Sequence, residues 1–271
     1  MPLLSVNGIQ LRYDVSGTGE PVVLVAGTAT SGRVWYLHQV PSLTSAGYQT
    51  ITFDNRDLAG AGPTAGPVLV EDLVADTVEL IERLELGAVR LVGFSLGARV
   101  AQEVALTRPD LLRCAVLMGT RGRLDRWTRA LGLAEQELAD AGVALPASFA
   151  AAFRAMQYLS RRTRADDRQT RDWLEIFELA AEANGGQPEP RRHVRFEQLA
   201  EDRIVAYRDI KVPCLVIAFG DDLVTPPHLG REVAEAIPGG RYREIPDCGH
   251  YGYLERPSEV NAALLDFLAN G

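Results

Sequence analysis

The chain has 271 residues, 46% hydrophobic and 24% charged, which is enough apolar material for one large core without disulfides or metals. Its formal net charge of -8 repels phosphate backbones and anionic membrane surfaces, so neither a nucleic acid nor a membrane is an expected partner. The three cysteines, Cys114, Cys214 and Cys248, are odd in number and lack C-x-x-C spacing; with no signal-like N-terminus and no apolar run of roughly 18 residues, a reducing cytoplasm is the expected compartment.

In chain order, Leu3 to Val6 and Ile9 to Val15 flank Asn7-Gly8, a dipeptide that tolerates positive φ at both turn positions, and a β-hairpin is predicted. Continuous apolar runs follow at Val22 to Ala26, Gln49 to Phe53, Val89 to Phe94, Cys114 to Met118 and Cys214 to Phe219. Unbroken runs of this length suit strands buried on both faces of a parallel sheet. Between them lie helical periods. One places Leu73, Val74, Thr77, Leu80, Ile81 and Leu84 on a single stripe, with Glu71 and Asp72 in its first turn and Gly87 beyond its end. Another starts at Leu96 and stops before Pro109, and the last opens at Pro257 and buries Val260, Leu264, Phe267 and Leu268. Alternating strands and helices specify an α/β fold with a doubly wound, mostly parallel sheet.

The alternation breaks between about Thr120 and Arg208, where aromatic residues sit among helix formers. The expected organisation is a core of residues 1–119 and 209–271, with 120–208 inserted as a helical cap. The stretch Asn184 to Pro190, rich in Gly and Pro, is expected to link two cap helices.

At Gly93-Phe94-Ser95-Leu96-Gly97 a G-x-S-x-G pattern falls between an apolar strand and the start of a helix. A turn that sharp leaves no room for side chains beside the serine, which it holds exposed and strained. A serine hydroxyl needs a base within hydrogen-bond reach, and histidine is suited to that task. Of four histidines, His38 and His228 fall in or at the start of predicted helices, and His193 lies in an arginine-rich stretch. His250 follows the strand-like Arg241 to Ile245 and precedes the final helix, the position at which the order Ser, acid, His places the base. If it acts so, activity should fall as the imidazole is protonated.

The third member should be a carboxylate after the strand Cys214 to Phe219. Asp221 and Asp222 both stand there; Asp222 is favoured because the loop then runs Asp-x-x-x-Pro into the next helix, and Asp221 reads as a solvated or turn-capping residue. Oxyanion donors are expected from the backbone N–H of Leu96, next after the nucleophile at a helix N-terminus, and of Thr28, in the loop after the first buried strand. Trp127, Phe153, Tyr158, Trp173 and Phe177 are candidates for substrate-pocket lining, with packing inside the cap as the alternative for each. The arginine runs at 121–129 and 161–164 read as a solvated face or as a hold for a carboxylate-bearing substrate.

The elbow, the Asp222-Leu223-Val224-Thr225-Pro226 loop and the Gly249-His250 turn resemble the α/β-hydrolase superfamily over essentially the whole chain. Phe53-Asp54-Asn55-Arg56 resembles the Asp-x-Arg that follows the preceding strand in many members. The resemblance implies an eight-stranded sheet, a helical cap over the triad and no cofactor or metal. Within the superfamily the chain looks most similar to small bacterial esterases and thioesterase-like hydrolases, some tied to antibiotic pathways and some once labelled non-haem haloperoxidases. It departs from the family where many members have His-Gly in place of Ala26-Gly27, and a glycine in place of Asp57. The expected activity is cleavage of an ester, thioester or lactone of a small molecule through an acyl-enzyme at Ser95. Carbon-carbon hydrolysis, lyase, cyclase or haloperoxidase-like chemistry on the same triad, and a non-catalytic small-molecule receptor, remain alternatives, as do monomer and homodimer.

Overall fold

The computed structural model describes residues 2–56, 68–183 and 201–270. Asp57, His193 and the stretch 184–190 lie outside the described residues. Eight strands, β1 (Leu3–Val6), β2 (Ile9–Ser16), β3 (Glu20–Val25), β4 (Tyr48–Phe53), β5 (Val89–Phe94), β6 (Leu112–Met118), β7 (Cys214–Phe219) and β8 (Arg241–Ile245), form one sheet in the order β1-β2-β4-β3-β5-β6-β7-β8. The β1–β2 and β2–β4 pairs are antiparallel and every other pair is parallel. The hairpin turns at Asn7 and Gly8, both at positive φ. β3 begins two residues ahead of its apolar run because Glu20 and Pro21 pair with Tyr48 and Gln49.

Helices cover both faces. α1 (Gln39–Ser45) and the C-terminal helix pack against one side, and α2 (Val70–Arg83) and α3 (Leu96–Thr107) against the other. The period-2 alternation of a strand explains the division. Val22 and Leu24 of β3 join Trp35, Leu43, Val260 and Leu264 on one face, while Val23 and Val25 join Leu73, Leu80, Ala98 and Ala101 on the other. At the start of α2 the Asp72 carboxylate accepts the amide of the cap residue Leu69 at 2.9 Å, which gives that donor a partner.

Between β6 and β7 the chain forms α4 (Arg126–Asp140), α5 (Ala147–Tyr158), α6 (Arg161–Arg164) and α7 (Asp167–Ala183). Ala151, Ala155, Leu159 and Phe177 make a small apolar core of their own between α5 and α7. α8 (Pro227–Ala236) follows β7. A short helix that the sequence did not suggest, α9 (Gly252–Glu255), separates His250 from α10 (Pro257–Asn270). Among the described residues no helix is long and apolar enough to cross a membrane.

Candidate active site

Ser95 sits between β5 and α3 at φ 54° and ψ -115°, a conformation that costs an L-residue energy and persists only where its surroundings fix it. Its amide donates to Met118 O at 2.9 Å, and its carbonyl accepts the Ala98 and Arg99 amides. A Cβ on Gly93 would run into the Gly97 carbonyl, and one on Gly97 into the Val25 carbonyl. The two glycines are therefore demanded by backbone packed against backbone on either side of the serine.

His250 projects from the loop between β8 and α9, 2% exposed. Its Nε2 lies 3.0 Å from Ser95 Oγ and its Nδ1 2.7 Å from Asp222 Oδ2. Asp222, also 2% exposed, accepts the Val224 and Thr225 amides on Oδ1, each at 2.8 Å, and the Thr225 hydroxyl on Oδ2 at 2.7 Å. These donors satisfy a buried carboxylate and fix the edge it presents to the imidazole. The Phe94 ring packs on the imidazole at 4.8 Å, and Tyr158 meets it edge-on at 5.3 Å.

The adjacent carboxylate, Asp221, points elsewhere: its Oδ2 accepts the Arg161 amide at 3.0 Å. His228 pairs with Asp125 at 2.9 Å. His38 caps the end of the turn Gly32–Leu37, and partial burial lowers its pKa.

Thr28 and Leu96 line the same cavity as Ser95, and a Cβ on Gly27 would meet Ser95 Cβ at 3.3 Å. Leu96 N is the first amide of α3 and has no intrahelical acceptor. Among the described residues neither amide donates to another backbone group. The loop that carries Thr28 is held from β4. Asn55 Nδ2 donates to Ala26 O at 3.1 Å, and Asp54 Oδ1 accepts the Ser31 hydroxyl at 2.7 Å and the Gly32 amide at 2.9 Å. Arg56 forks onto Asp76 of α2, at 2.6 Å through Nε and 2.5 Å through Nη2. The sequence signal for this role is three consecutive polar residues, Asp54-Asn55-Arg56, at the C-terminal end of a buried parallel strand.

A cavity of about 270 Å³ opens over Ser95 and His250. Leu138 of α4, Leu145 of the α4–α5 connection, and Ala150 and Phe153 of α5 supply apolar wall, and Tyr158 stands beside His250. Of the five aromatics proposed as lining, Phe153 and Tyr158 take that place and three do not. Trp127 is 51% exposed and its indole N–H donates to Leu223 O at 3.0 Å, so it braces the loop of Asp222 from outside. Trp173 and Phe177 stack on each other at 5.4 Å and on Tyr251, filling the α5–α7 core. The lining stripe of a helix is set by its tertiary neighbours, and hydrophobic periodicity alone does not say which partner it meets.

The sequence model of the Alpha/beta hydrolase family matches residues 22–263, and the chain belongs to that family. It is 47% identical over 263 residues to BpoC, a provisionally assigned non-heme bromoperoxidase of Mycobacterium tuberculosis (strain ATCC 25618 / H37Rv), covering 97% of this chain and 98% of that one. The crystal structure of BpoC superposes with a TM-score of 0.88 at 46% identity, covering 96% of each chain. Rhodomycin D methylesterase DauP of Streptomyces sp. (strain C5) is 27% identical over 278 residues, covering 92% of both chains.

Proposed function

We propose that the protein is a serine hydrolase that cleaves an ester, thioester or lactone of a small molecule through an acyl-enzyme at Ser95. The observation that carries this reading is the unbroken chain from Ser95 Oγ through His250 to Asp222, 3.0 and 2.7 Å long, built on a positive-φ serine. In the forward step His250 Nε2 takes the Ser95 proton as Oγ attacks the carbonyl carbon. The oxyanion so formed faces the Leu96 and Thr28 amides. Collapse of this intermediate breaks the bond to the leaving alcohol or thiol, which takes the proton back from His250, and water repeats the sequence to release the acid. Asp222 holds the imidazole in the tautomer with its proton on Nδ1 and stabilises its charged form.

In this reading α4 to α7 act as a cap that shapes the pocket, and DauP supports an ester as the bond cleaved. Burial pushes the three cysteine thiols up to between about 11 and about 12, which keeps them from competing with Ser95 as nucleophiles. The test is Ser95→Ala against a panel of small esters, thioesters and lactones. Turnover of the best of them should fall by roughly four orders of magnitude or more; retained turnover would place the chemistry elsewhere.

The likeness to BpoC favours one second reading, haloperoxidase-like activity on the same serine. Hydrogen peroxide replacing water in deacylation would release a peracid, and the peracid would oxidise bromide to hypobromite and return the carboxylic acid. Bromination that needs peroxide, bromide, a carboxylate and Ser95 together would support it.

A further inference from the structure

Asp222 keeps its orientation through two consecutive peptide groups: the Val224 and Thr225 amides both donate to its Oδ1 at 2.8 Å. Each of these N–H groups shares a rigid plane with the carbonyl of the residue before it, so whatever holds that carbonyl also aims the N–H. Both carbonyls are held from the segment that follows β6. The Trp127 indole N–H donates to Leu223 O at 3.0 Å, and Arg121 Nη1 donates to Val224 O at 2.7 Å. Two side chains of one segment therefore grip at one end the same two peptide groups that meet the carboxylate at the other. Donation to a carbonyl also polarises its peptide and strengthens the N–H across it.

The segment that carries these side chains is fixed in turn. Arg123 forks onto Glu232 of α8 at 2.7 and 2.5 Å, and Asp125, which caps α4, pairs with His228 of α8 at 2.9 Å. α8 opens at Pro227, two residues after Thr225, so the start of α4 and the loop of Asp222 are anchored to the same helix. Trp127 lies in the first turn of α4 with half its surface exposed. A tryptophan so placed gains less from burial than one in the core, and its polar handle is directed at the carbonyl beside the acid.

We propose that Trp127 and Arg121 are positioning residues of the reaction, which hold Asp222 against His250 by fixing the Leu223–Val224 and Val224–Thr225 peptides. A displacement of the start of α4 would reach the carboxylate by this route. The kinetic consequence rests on the reading of Ser95 as nucleophile, so one of two readouts does not involve the serine. That readout is amide hydrogen exchange at Val224 and Thr225, followed by NMR on the full chain. In Trp127→Phe both amides should exchange roughly tenfold faster, with Leu215 to Ile217 of β7 within about twofold of wild type; Arg121→Met should speed Thr225 more than Val224. The second readout is the rate of fluorophosphonate labelling at Ser95, which should fall roughly tenfold in Trp127→Phe. Placed in an Asp222→Asn chain, the same change should cost less than about twofold, because its effect runs through the carboxylate. Amides that exchange as in wild type in either variant overturn the proposal, and so does unchanged labelling where wild type is reactive. A labelling loss of undiminished size in the Asp222→Asn background overturns it too, since Trp127 would then act elsewhere. If wild type itself is not labelled, the nucleophile reading fails and exchange alone decides on the grip. Should Trp127→Phe fail to fold, replacing Trp127 with 3-benzothienylalanine, which carries sulfur in place of the N–H at nearly unchanged shape, makes the same comparisons.

Discussion

Glu255 accepts the Gly249 amide on Oε1 at 2.6 Å, one residue before His250. Its other oxygen accepts the Ser160 amide at 3.0 Å and the Ser160 hydroxyl at 2.9 Å, and Ser160 is the cap of α6. One carboxylate thus ties the loop of His250 to the inserted helices. Nearby, the Tyr251 amide donates to Tyr158 O at 3.1 Å. Glu255→Ala should lower kcat roughly ten- to a hundredfold through a displaced imidazole, with a smaller change in KM. It should also cost about 1–3 kcal/mol, since it strands donors that have left water. Steady-state kinetics and denaturant unfolding check both, and Glu255→Gln should fall between Ala and wild type.

The two neighbouring aspartates provide a matched pair. Asp222→Asn keeps the shape but removes the charge beside His250 Nδ1 and admits the wrong tautomer, so kcat should drop by roughly four orders of magnitude. Asp221→Asn retains an acceptor for the Arg161 amide and should stay within about threefold of wild type. Comparable losses in the two variants would contradict the assignment of the acid.

The tight elbow predicts a stability effect separable from chemistry. Gly97→Ala places a methyl group against the Val25 carbonyl, where both partners are backbone and neither can turn away. The expected cost is about 3 kcal/mol or more, read as a lowered denaturation midpoint. Gly142→Ala, at a positive-φ position with open space around it, should cost about 1 kcal/mol.

Asp125 caps α4 and faces His228. Burial works to raise its carboxyl, but the Thr128 amide and hydroxyl and His228 outweigh that and hold its pKa below the ordinary carboxylate value. A lowered folded-state pKa means that the unfolded chain binds the proton more readily. The stabilisation is therefore complete above about pH 4 and is lost as pH falls through the folded value. Asp125→Asn should cost about 1 kcal/mol at neutral pH, and its gap from wild type should narrow on acidification. Thermal melts across the acid range check this; a gap of constant size would show that the carboxyl charge contributes nothing.

Much of this architecture was legible because it depends on local rules. β5, β7 and β8 begin and end where their apolar or strand-like runs do, and Gly93 and Gly97 mark a turn that admits no Cβ beside the serine. Ser95 and His250 could be paired from chain order alone. Asp222 and Asp221 were harder, since both follow β7 and the direction each takes is decided by contacts with His250 and Arg161 from other parts of the sequence. Glu255 was invisible: in Leu254-Glu255-Arg256 it reads as a surface charge, and its partners at Ser160 and Gly249 are brought to it only by tertiary folding. The same limit explains Trp127, Trp173 and Phe177, whose apolar bulk was plain and whose neighbours were not.

The proposed chemistry rests on Ser95 as an activated nucleophile. Intact-mass spectrometry after exposure to a fluorophosphonate tests it without knowledge of the substrate. A single phosphonyl adduct is expected on the wild-type chain, placed at Ser95 by peptide mapping, and none on folded Ser95→Ala. Unmodified wild type, or an adduct that persists in the variant, would contradict it.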